Sequence, residues 1–120
     1  MRTTIALLLM PLLAAAAPAP KSALVTEVRA LISRDDFTAA DKRVRDYFSE
    51  HGATSELAAA VSWMGRGALE RHRLDSATNY AGRARTLVEE LLKGRSIDAD
   101  RNLATALGAA IEVEAQVMSR

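Results

Sequence analysis

The chain has 120 residues, of which 49% are hydrophobic and 26% charged, and its formal net charge is +1. This length suits one domain, and the composition is typical of a globular protein. The near balance of charge argues against a nucleic-acid-binding role, which needs a clustered basic surface. The sequence contains no cysteine, which excludes disulfides, thiol chemistry and thiolate metal sites within this chain.

The first 20 residues, MRTTIALLLMPLLAAAAPAP, have the pattern of a secretory signal peptide. Arg2 supplies the positive charge, residues 5–13 form the apolar stretch, and the following alanines suit cleavage before Ala17. The alternative is an uncleaved membrane anchor. Pro11 interrupts the apolar run, which falls short of the ~20 residues that a spanning helix needs. We therefore expect residues 1–16 to be a signal peptide and residues 17–22 a short linker.

This interpretation predicts the compartment of the protein. No twin-arginine pair is present in the leader, so we expect the general secretory route and a periplasmic or extracellular location. Removal of residues 1–16 takes away Arg2 and no acidic residue, which changes 16 basic and 15 acidic residues into 15 of each. We expect no stable membrane insertion after cleavage.

Periodicity beyond the leader predicts helices throughout. The first is expected over about 21–33 with Leu24, Val28, Leu31 and Ile32 on one stripe, and the second over about 36–50. Gly52 then suits a helix stop in the αL conformation, and Thr54 or Ser55 suits a new N-cap. The third helix is expected over about 55–73. The predicted apolar face of the second helix comprises Phe37, Ala40, Val44, Tyr47 and Phe48, and that of the third comprises Leu57, Val61, Met64, Ala68 and Leu69.

The fourth and fifth predicted helices complete the chain. The fourth begins near Asp75, carries Ala77, Ala81 and Ala84 on one narrow face, and ends at Gly94. This thin face predicts that another helix approaches closely. The fifth follows an N-cap at Asp98, and its predicted apolar face comprises Leu103, Leu107, Ala110, Ile111, Val117 and Met118. No stretch alternates like a strand, so the predicted fold is an all-α domain over residues 23–120.

The helical residues repeat at an offset of 37. Phe37 then aligns with Leu74 and Ala40 with Ala77, and in the preceding helices Arg29 aligns with Arg66. Each unit of two helices has an apolar face that a neighbouring unit must cover. Glycines at positions 65, 67, 82 and 108 lie inside predicted helices, where each costs ~1 kcal/mol relative to alanine. We expect close backbone approach at these four positions, and the alternative for Gly65 and Gly67 is a bend in the third helix.

The segments FTAADKRVRDY, LDSATNYAGRA and WMGRGA resemble the tetratricopeptide repeat. The resemblance implies stacked helical hairpins, about two and a half repeats in length, after the signal peptide. The period of 37 exceeds the 34 residues of that family, and the proline that usually closes each repeat is absent. A helical bundle without repeats is the alternative.

Groups for catalysis are scarce. His51 and His72 fall where helices end, and each is interpreted as a solvated or capping residue rather than a ligand. No catalytic triad motif, phosphate-binding loop or metalloprotease motif occurs in the sequence. We therefore expect a non-enzymatic protein with no cofactor and no metal.

In tetratricopeptide-like proteins the first helix of each pair lines a concave groove. Carried over by matched positions, the resemblance implies a ligand-binding groove formed by Arg29, Ser62, Trp63, Arg66, Leu69, Asn102 and Glu112. Arg29 and Arg66 would face a carboxylate such as a peptide C-terminus, with Trp63 as the anchor beside them. The alternative places Trp63 in the core and leaves both arginines solvated. The predicted function is an exported, non-catalytic module that binds a protein or peptide.

The last predicted helix leaves apolar residues uncovered at the end of the stack. One interpretation is self-association through this helix, which would make the protein a structural subunit. The order of leader, RDDFTAADKRVRDY and LGAAIEVEAQV is also similar to the helical N-terminal region of secreted bacterial thioredoxin-like proteins. That second resemblance implies an accessory helical part of a disulfide oxidoreductase, whose catalytic domain is absent from this chain.

Overall fold

The computed structural model of the protein describes residues 23–93 and 100–120. Within those residues the chain forms five helices and no β-strand, which confirms the all-α prediction there. None of the described helices is both long enough and apolar enough to cross a bilayer. The predicted signal peptide, the stop at Gly94 and the cap at Asp98 lie outside the described residues. The helices are α1 (Ala23–Ser33), α2 (Phe37–His51), α3 (Ser55–Glu70), α4 (Leu74–Leu91) and α5 (Arg101–Met118).

Helix α3 lies at the centre of the fold. Its backbone lies close to those of all four other described helices, whereas the backbone of α1 comes close only to α2 and α3, and that of α4 only to α3 and α5. Helix α3 is consequently buried on almost every side, with Met64 completely inaccessible and Leu57 and Val61 nearly so. A helix enclosed in this way needs small and apolar residues around its whole circumference. The segment from Leu57 to Val61 has only such residues.

The turns after α1 and after α3 have the same backbone geometry, 37 residues apart. Asp35 and His72 both adopt a positive φ, of 59° and 58°. The amide of Asp36 donates to the Leu31 carbonyl at 2.9 Å, and that of Arg73 donates to the Ala68 carbonyl at the same distance. Such bonds satisfy carbonyls that have no partner within their own helix. The third helix therefore ends at Glu70, three residues earlier than predicted.

The predicted helix starts are confirmed at one boundary and shifted at another. Thr54 is the N-cap of α3, and its side chain accepts a hydrogen bond from the Leu57 amide at 3.1 Å. Helix α5 uses Asp100 as its N-cap, with its side chain accepting from the Asn102 amide at 2.8 Å. Gly52 has a φ of 72° and a ψ of −161°, a region almost restricted to glycine rather than the αL conformation.

The small face of α4 packs directly on α3, as predicted. Ala77, Ala81 and Ala84 are each at most 1% exposed. The backbones come so close that a Cβ atom at Gly65 would lie 3.4 Å from the Ala81 nitrogen and 3.6 Å from the Ala77 carbonyl oxygen. Small side chains on α4 therefore allow the central helix to approach its neighbour.

The four helix-interior glycines divide into two classes. A Cβ at Gly67 would lie 2.5 Å from Cγ2 of Ile32, so close approach is confirmed at Gly65 and Gly67. At Gly82 and Gly108 a Cβ would meet nothing within 4 Å. The prediction of close packing is therefore wrong at these two positions, because each faces open space rather than a neighbouring helix.

We expect alanine at positions 67 and 82 to change stability in opposite directions. Gly82→Ala should raise the free energy of unfolding by ~1 kcal/mol, since the helix gains a better former without a clash. Gly67→Ala should lower it by about 1–2 kcal/mol, because overpacking against Ile32 outweighs the helix propensity gained. Chemical denaturation of the two variants checks this. Equal changes in the free energy of unfolding at both positions would contradict the different surroundings of Gly67 and Gly82.

Three large side chains that the sequence pattern assigns to apolar faces are exposed. Phe48 is 52% exposed, Ile111 48% and Met118 87%. Helix α2 instead buries Ala40 and Val44. The buried face of α5 comprises Leu103, Ala106, Ala109, Ala110 and Val113. Helix α5 has apolar residues on two sides, and only one side is covered by α3 and α4.

Candidate functional site

The partly open edge of α3 carries the candidate site. Trp63 and Arg66 are half-buried there, while the residues immediately before and after each of them are buried. Their spacing of three residues places them on the same side of the helix. Trp63 packs against the core with one part of its ring system and remains accessible with another. The position of Trp63 therefore agrees in part with each of the two interpretations, a core residue and an accessible anchor.

Two arginines from different helices lie against the Trp63 ring. The guanidinium carbon of Arg29, on α1, is 4.1 Å from the ring centroid, and that of Arg66 is 5.8 Å away. Both distances are within the range of cation–π attraction. Because α1 packs beside α3, residues far apart in sequence meet on one surface. The predicted cluster of Arg29, Trp63 and Arg66 is thus assembled in the structure, and we call it the tryptophan site.

Helix α5 adds an acidic residue to this surface. Nη1 of Arg66 lies 2.8 Å from Oε1 of Glu112, and the two side chains are 38% and 50% exposed. The ion pair holds the Arg66 guanidinium in place at the edge of the site. By contrast, Arg29 forms no ion pair with a carboxylate of the described residues.

Three other predicted groove residues do not join the tryptophan site. Ser62 is buried, and its hydroxyl donates to the Ala59 carbonyl at 2.7 Å. Leu69 is part of the core, at 6% exposure. Asn102 lies in the first turn of α5, nearly three helical turns from Glu112. The structure therefore corrects the predicted groove, because Ser62 and Leu69 face the interior and Asn102 is too far along the helix.

Arg71 is a structural element of the site that no sequence pattern indicates. Its guanidinium donates to the Ile32 carbonyl at 2.7 Å and the Gly67 carbonyl at 3.2 Å, and its Nε lies 3.3 Å from Oδ1 of Asp35. It thereby ties the end of α1 to the end of α3. Arg71 is the residue at the offset of 37 from Arg34, but nothing in that alignment indicates the bridge.

Asp35 completes this clamp from the turn between α1 and α2. It accepts a hydrogen bond from Arg73 at 2.9 Å, in addition to its contact with Arg71. The hydrogen bond from Arg73 holds the pKa of the Asp35 carboxyl below its usual range, assisted by the charges of both arginines. The lowered pKa favours the ionised form of Asp35, and its charge is shared between Arg71 and Arg73.

The tryptophan site opens into a small cavity of about 260 Å³. Its charged lining residues are Arg29, Arg66, Arg71 and Glu70, and its neutral ones are Ile32, Ser33, Trp63 and Gly67. Arg66 and Arg71 already contact carboxylates of the protein. Arg29 is consequently the lining cation that makes no ion pair with a carboxylate of the described residues, and it is stacked on an aromatic ring. Such a pair can bind a carboxylate through the guanidinium fork and an apolar group on the ring.

Neither histidine lines this cavity. His51 is the last residue of α2, with its ring centroid 4.5 Å from that of Tyr47. His72 is exposed in the turn before α4, where its Nδ1 lies 3.3 Å from Nη1 of Arg120. Within residues 23–93 and 100–120, no three His, Asp or Glu side chains are grouped closely enough to hold a metal ion.

The sequence matches no known protein-family model, no curated protein and no solved structure. The fold therefore defines only a class of protein. It is an all-helical domain of five described helices packed together, and it is compatible with a helical repeat. Neither the tetratricopeptide-like nor the thioredoxin-associated resemblance gains a family match. Both remain expectations from the sequence.

Proposed function

We propose that the protein is an exported, non-catalytic helical-repeat module, and that its tryptophan site binds peptides or proteins through a carboxylate. The observation that carries this proposal is the Arg29 guanidinium, stacked 4.1 Å from the Trp63 ring without a carboxylate partner in the described chain. A C-terminal carboxylate with a neighbouring apolar side chain matches both groups. A free carboxylate would form charge-assisted hydrogen bonds with Arg29 while the side chain covers Trp63.

The packing of the first helices in each predicted pair supports this location. Helices α1 and α5 both lie against α3, so α1, α3 and α5 form neighbouring elements of one surface. Arg29, Trp63 with Arg66, and Glu112 come from these three helices in turn. This arrangement is the one expected of the groove in a tetratricopeptide-like stack.

The matching turns support the repeat interpretation. Asp35 and His72 have the same backbone conformation, and the hydrogen bonds around them correspond one for one at the offset of 37. Helices α2 and α4 begin at Phe37 and Leu74, which have the same offset. Two hairpins whose inner turns share the same backbone geometry are what a tandem repeat of helical hairpins requires.

The proposal is tested with hexapeptides of randomised sequence, prepared with free C-termini and, separately, with amidated ones. We expect the full chain to retain the free-carboxylate mixture and to retain the amidated mixture much more weakly. Arg29→Gln should weaken the retention by about 10- to 100-fold, because a hydrogen bond to a charged group contributes roughly 1.5–3 kcal/mol.

Arg34→Gln provides the matched control. Arg34 is exposed in the turn after α1 and does not line the cavity, so the control removes the same charge from the same region. Its retention should equal that of the unmodified chain. Equal retention of free and amidated peptides, or equal losses in the two variants, would overturn a carboxylate site at Arg29.

A further inference from the structure

Glu70 lines the cavity of the tryptophan site, where it is the exposed last residue of α3. Arg66, four residues earlier on the same helix, pairs with Glu112 instead. Arg71, the next residue in the chain, contacts Asp35. Glu70 itself makes no ion pair among the described residues, so its carboxylate is accessible to a ligand in the cavity.

The fold itself gives no reason for a carboxylate at this position. The last turn of an α-helix carries the negative end of the helix dipole, where an acidic side chain is unfavourable. Glu112 and Glu114 differ in this respect, because their ion pairs join α5 to α3 and to α4. Glu70 joins no two helices of the described chain. A ligand with a positive charge would give its carboxylate a partner.

The charged groups that line the cavity divide into paired and unpaired ones. Arg66 and Arg71 each contact a carboxylate of the chain. The carboxylate partner of Arg71 also contacts Arg73, but Arg73 does not line the cavity. Arg29 and Glu70 form no ion pair with a described residue. The cavity thus offers its contents one unpaired cation and one unpaired carboxylate, and the matching ligand carries both charges.

Helices α1 and α3 run in the same direction along the two sides of this cavity. Near their beginnings, the Leu24 amide donates to a carboxylate oxygen of Glu56 at 3.2 Å. Near their ends, the Arg71 guanidinium donates to the Ile32 carbonyl at 2.7 Å. Each level along α1 therefore corresponds to a level along α3, and the order of the lining residues in the chain is their order along the cavity.

The two unpaired charges lie at different levels of the cavity. The guanidinium of Arg29 is stacked on Trp63. Glu70 follows Trp63 by seven residues, a spacing that keeps both on one side of α3 and separates them by about two turns or 10 Å along the helix. Ile32 and Gly67 line the cavity between these two levels. A ligand that contacts both charges needs a carboxylate and a cation joined by a long, largely apolar stem.

We propose that the tryptophan site is specific for peptides whose last residue is lysine or arginine. The terminal carboxylate binds Arg29, the apolar stem of the last side chain lies on Trp63, and the side-chain cation contacts Glu70. Such stems cover apolar surface while their charged ends stay accessible, and the flexible Glu70 side chain shortens the distance that the cation must span. The inference rests on the proposed function, to which it adds the identity of the terminal residue.

Four N-acetylated hexapeptides, each of five alanines and a variable last residue, test this specificity. Three have a free carboxylate on a terminal lysine, norleucine or glutamate, and the fourth ends in amidated lysine. Norleucine has the four-carbon stem of lysine without the ammonium group. By isothermal titration calorimetry, the lysine peptide should bind the full chain about fivefold more tightly than the norleucine peptide, because an accessible ion pair contributes up to ~1 kcal/mol.

Substitutions of Glu70 identify the group that recognises the cation. Glu70→Gln should lower the affinity for the lysine peptide to that for the norleucine peptide, and leave the norleucine affinity unchanged. Glu70→Lys should reverse the preference, so that the glutamate peptide binds more tightly than the lysine peptide. Glu89→Gln carries the same change to an exposed position of α4 outside the cavity and should behave like the unmodified chain. Far-ultraviolet circular dichroism establishes that all three variants are folded.

The peptide set separates failure of this specificity from failure of the carboxylate site. Equal affinities for the lysine and norleucine peptides, both much tighter than for the amidated peptide, would overturn the specificity and leave the proposed function intact. A preference for lysine that persists in Glu70→Gln would overturn the assignment of Glu70 in the same way. Equal binding of the lysine peptide and its amide, or no binding of any peptide, would overturn the proposed function and this inference with it.

Discussion

Met64→Ala should lower the free energy of unfolding by about 2–5 kcal/mol, the usual range for truncating a fully buried methionine. Met64 is completely inaccessible and lies in the central helix, within the main cluster of buried residues. Helix α3 is held by all four other described helices, so the surroundings have little freedom to collapse into the space that is left. Denaturant titration gives the change from the shift of the midpoint at constant slope.

Met118→Ala is the matched control for this prediction. The same side chain is truncated, but at a position that is 87% exposed, so the free energy of unfolding should change by no more than about 0.5 kcal/mol. The contrast between the two methionines measures how central α3 is to stability. A small effect at Met64, similar to that at Met118, would contradict the packing described for α3.

Trp63→Ala should weaken binding of the free-carboxylate peptide mixture by about 30-fold, which corresponds to roughly 2 kcal/mol for a tryptophan at the centre of a binding surface. Trp63 supplies the apolar platform of the site, and its ring also holds the Arg29 guanidinium at 4.1 Å. Truncation therefore removes the anchor and releases the arginine. Isothermal titration calorimetry measures the loss directly.

Met64→Ala serves as the comparison for binding as well. Met64 follows Trp63 in the chain but points into the core, so at a temperature where the variant is folded its peptide affinity should be close to that of the unmodified chain. Unchanged affinity in Trp63→Ala would exclude the ring from the binding surface. An equal loss of peptide affinity in both variants would mean that each substitution disturbs the fold rather than a contact with the peptide.

The sequence predicts the helices and the close packing of α4 well because these depend on local signals. The alanines at 77, 81 and 84 leave a face with almost no side-chain volume, and only a neighbouring helix can cover such a face. Thr54 is similarly a local signal, since its side chain caps the helix that begins one residue later. The sequence also predicts that Arg29, Trp63 and Arg66 lie together. Arg29 and Arg66 are related by the offset of 37, and Trp63 is three residues before Arg66.

Other features depend on which elements surround a residue, and the sequence does not contain that information locally. A placement error of one residue rotates a helical side chain by about 100°, which moves Ser62 and Leu69 from the expected groove into the core. Gly67 and Gly82 have the same local context of a helix interior, yet only Gly67 meets another chain segment. Ile111 and Met118 continue an apolar pattern on α5 that neither α3 nor α4 covers.

The most direct test of the tryptophan site is the fluorescence of Trp63 during titration with the peptide mixtures. The chain contains one tryptophan, so every change in indole emission originates at this position. We predict a saturable change with the free-carboxylate hexapeptides that the amidated hexapeptides do not produce and that Arg29→Gln strongly reduces. Emission that stays constant while the peptides bind, or that responds equally to both mixtures, would contradict the proposal that Arg29 and Trp63 form a carboxylate-binding site.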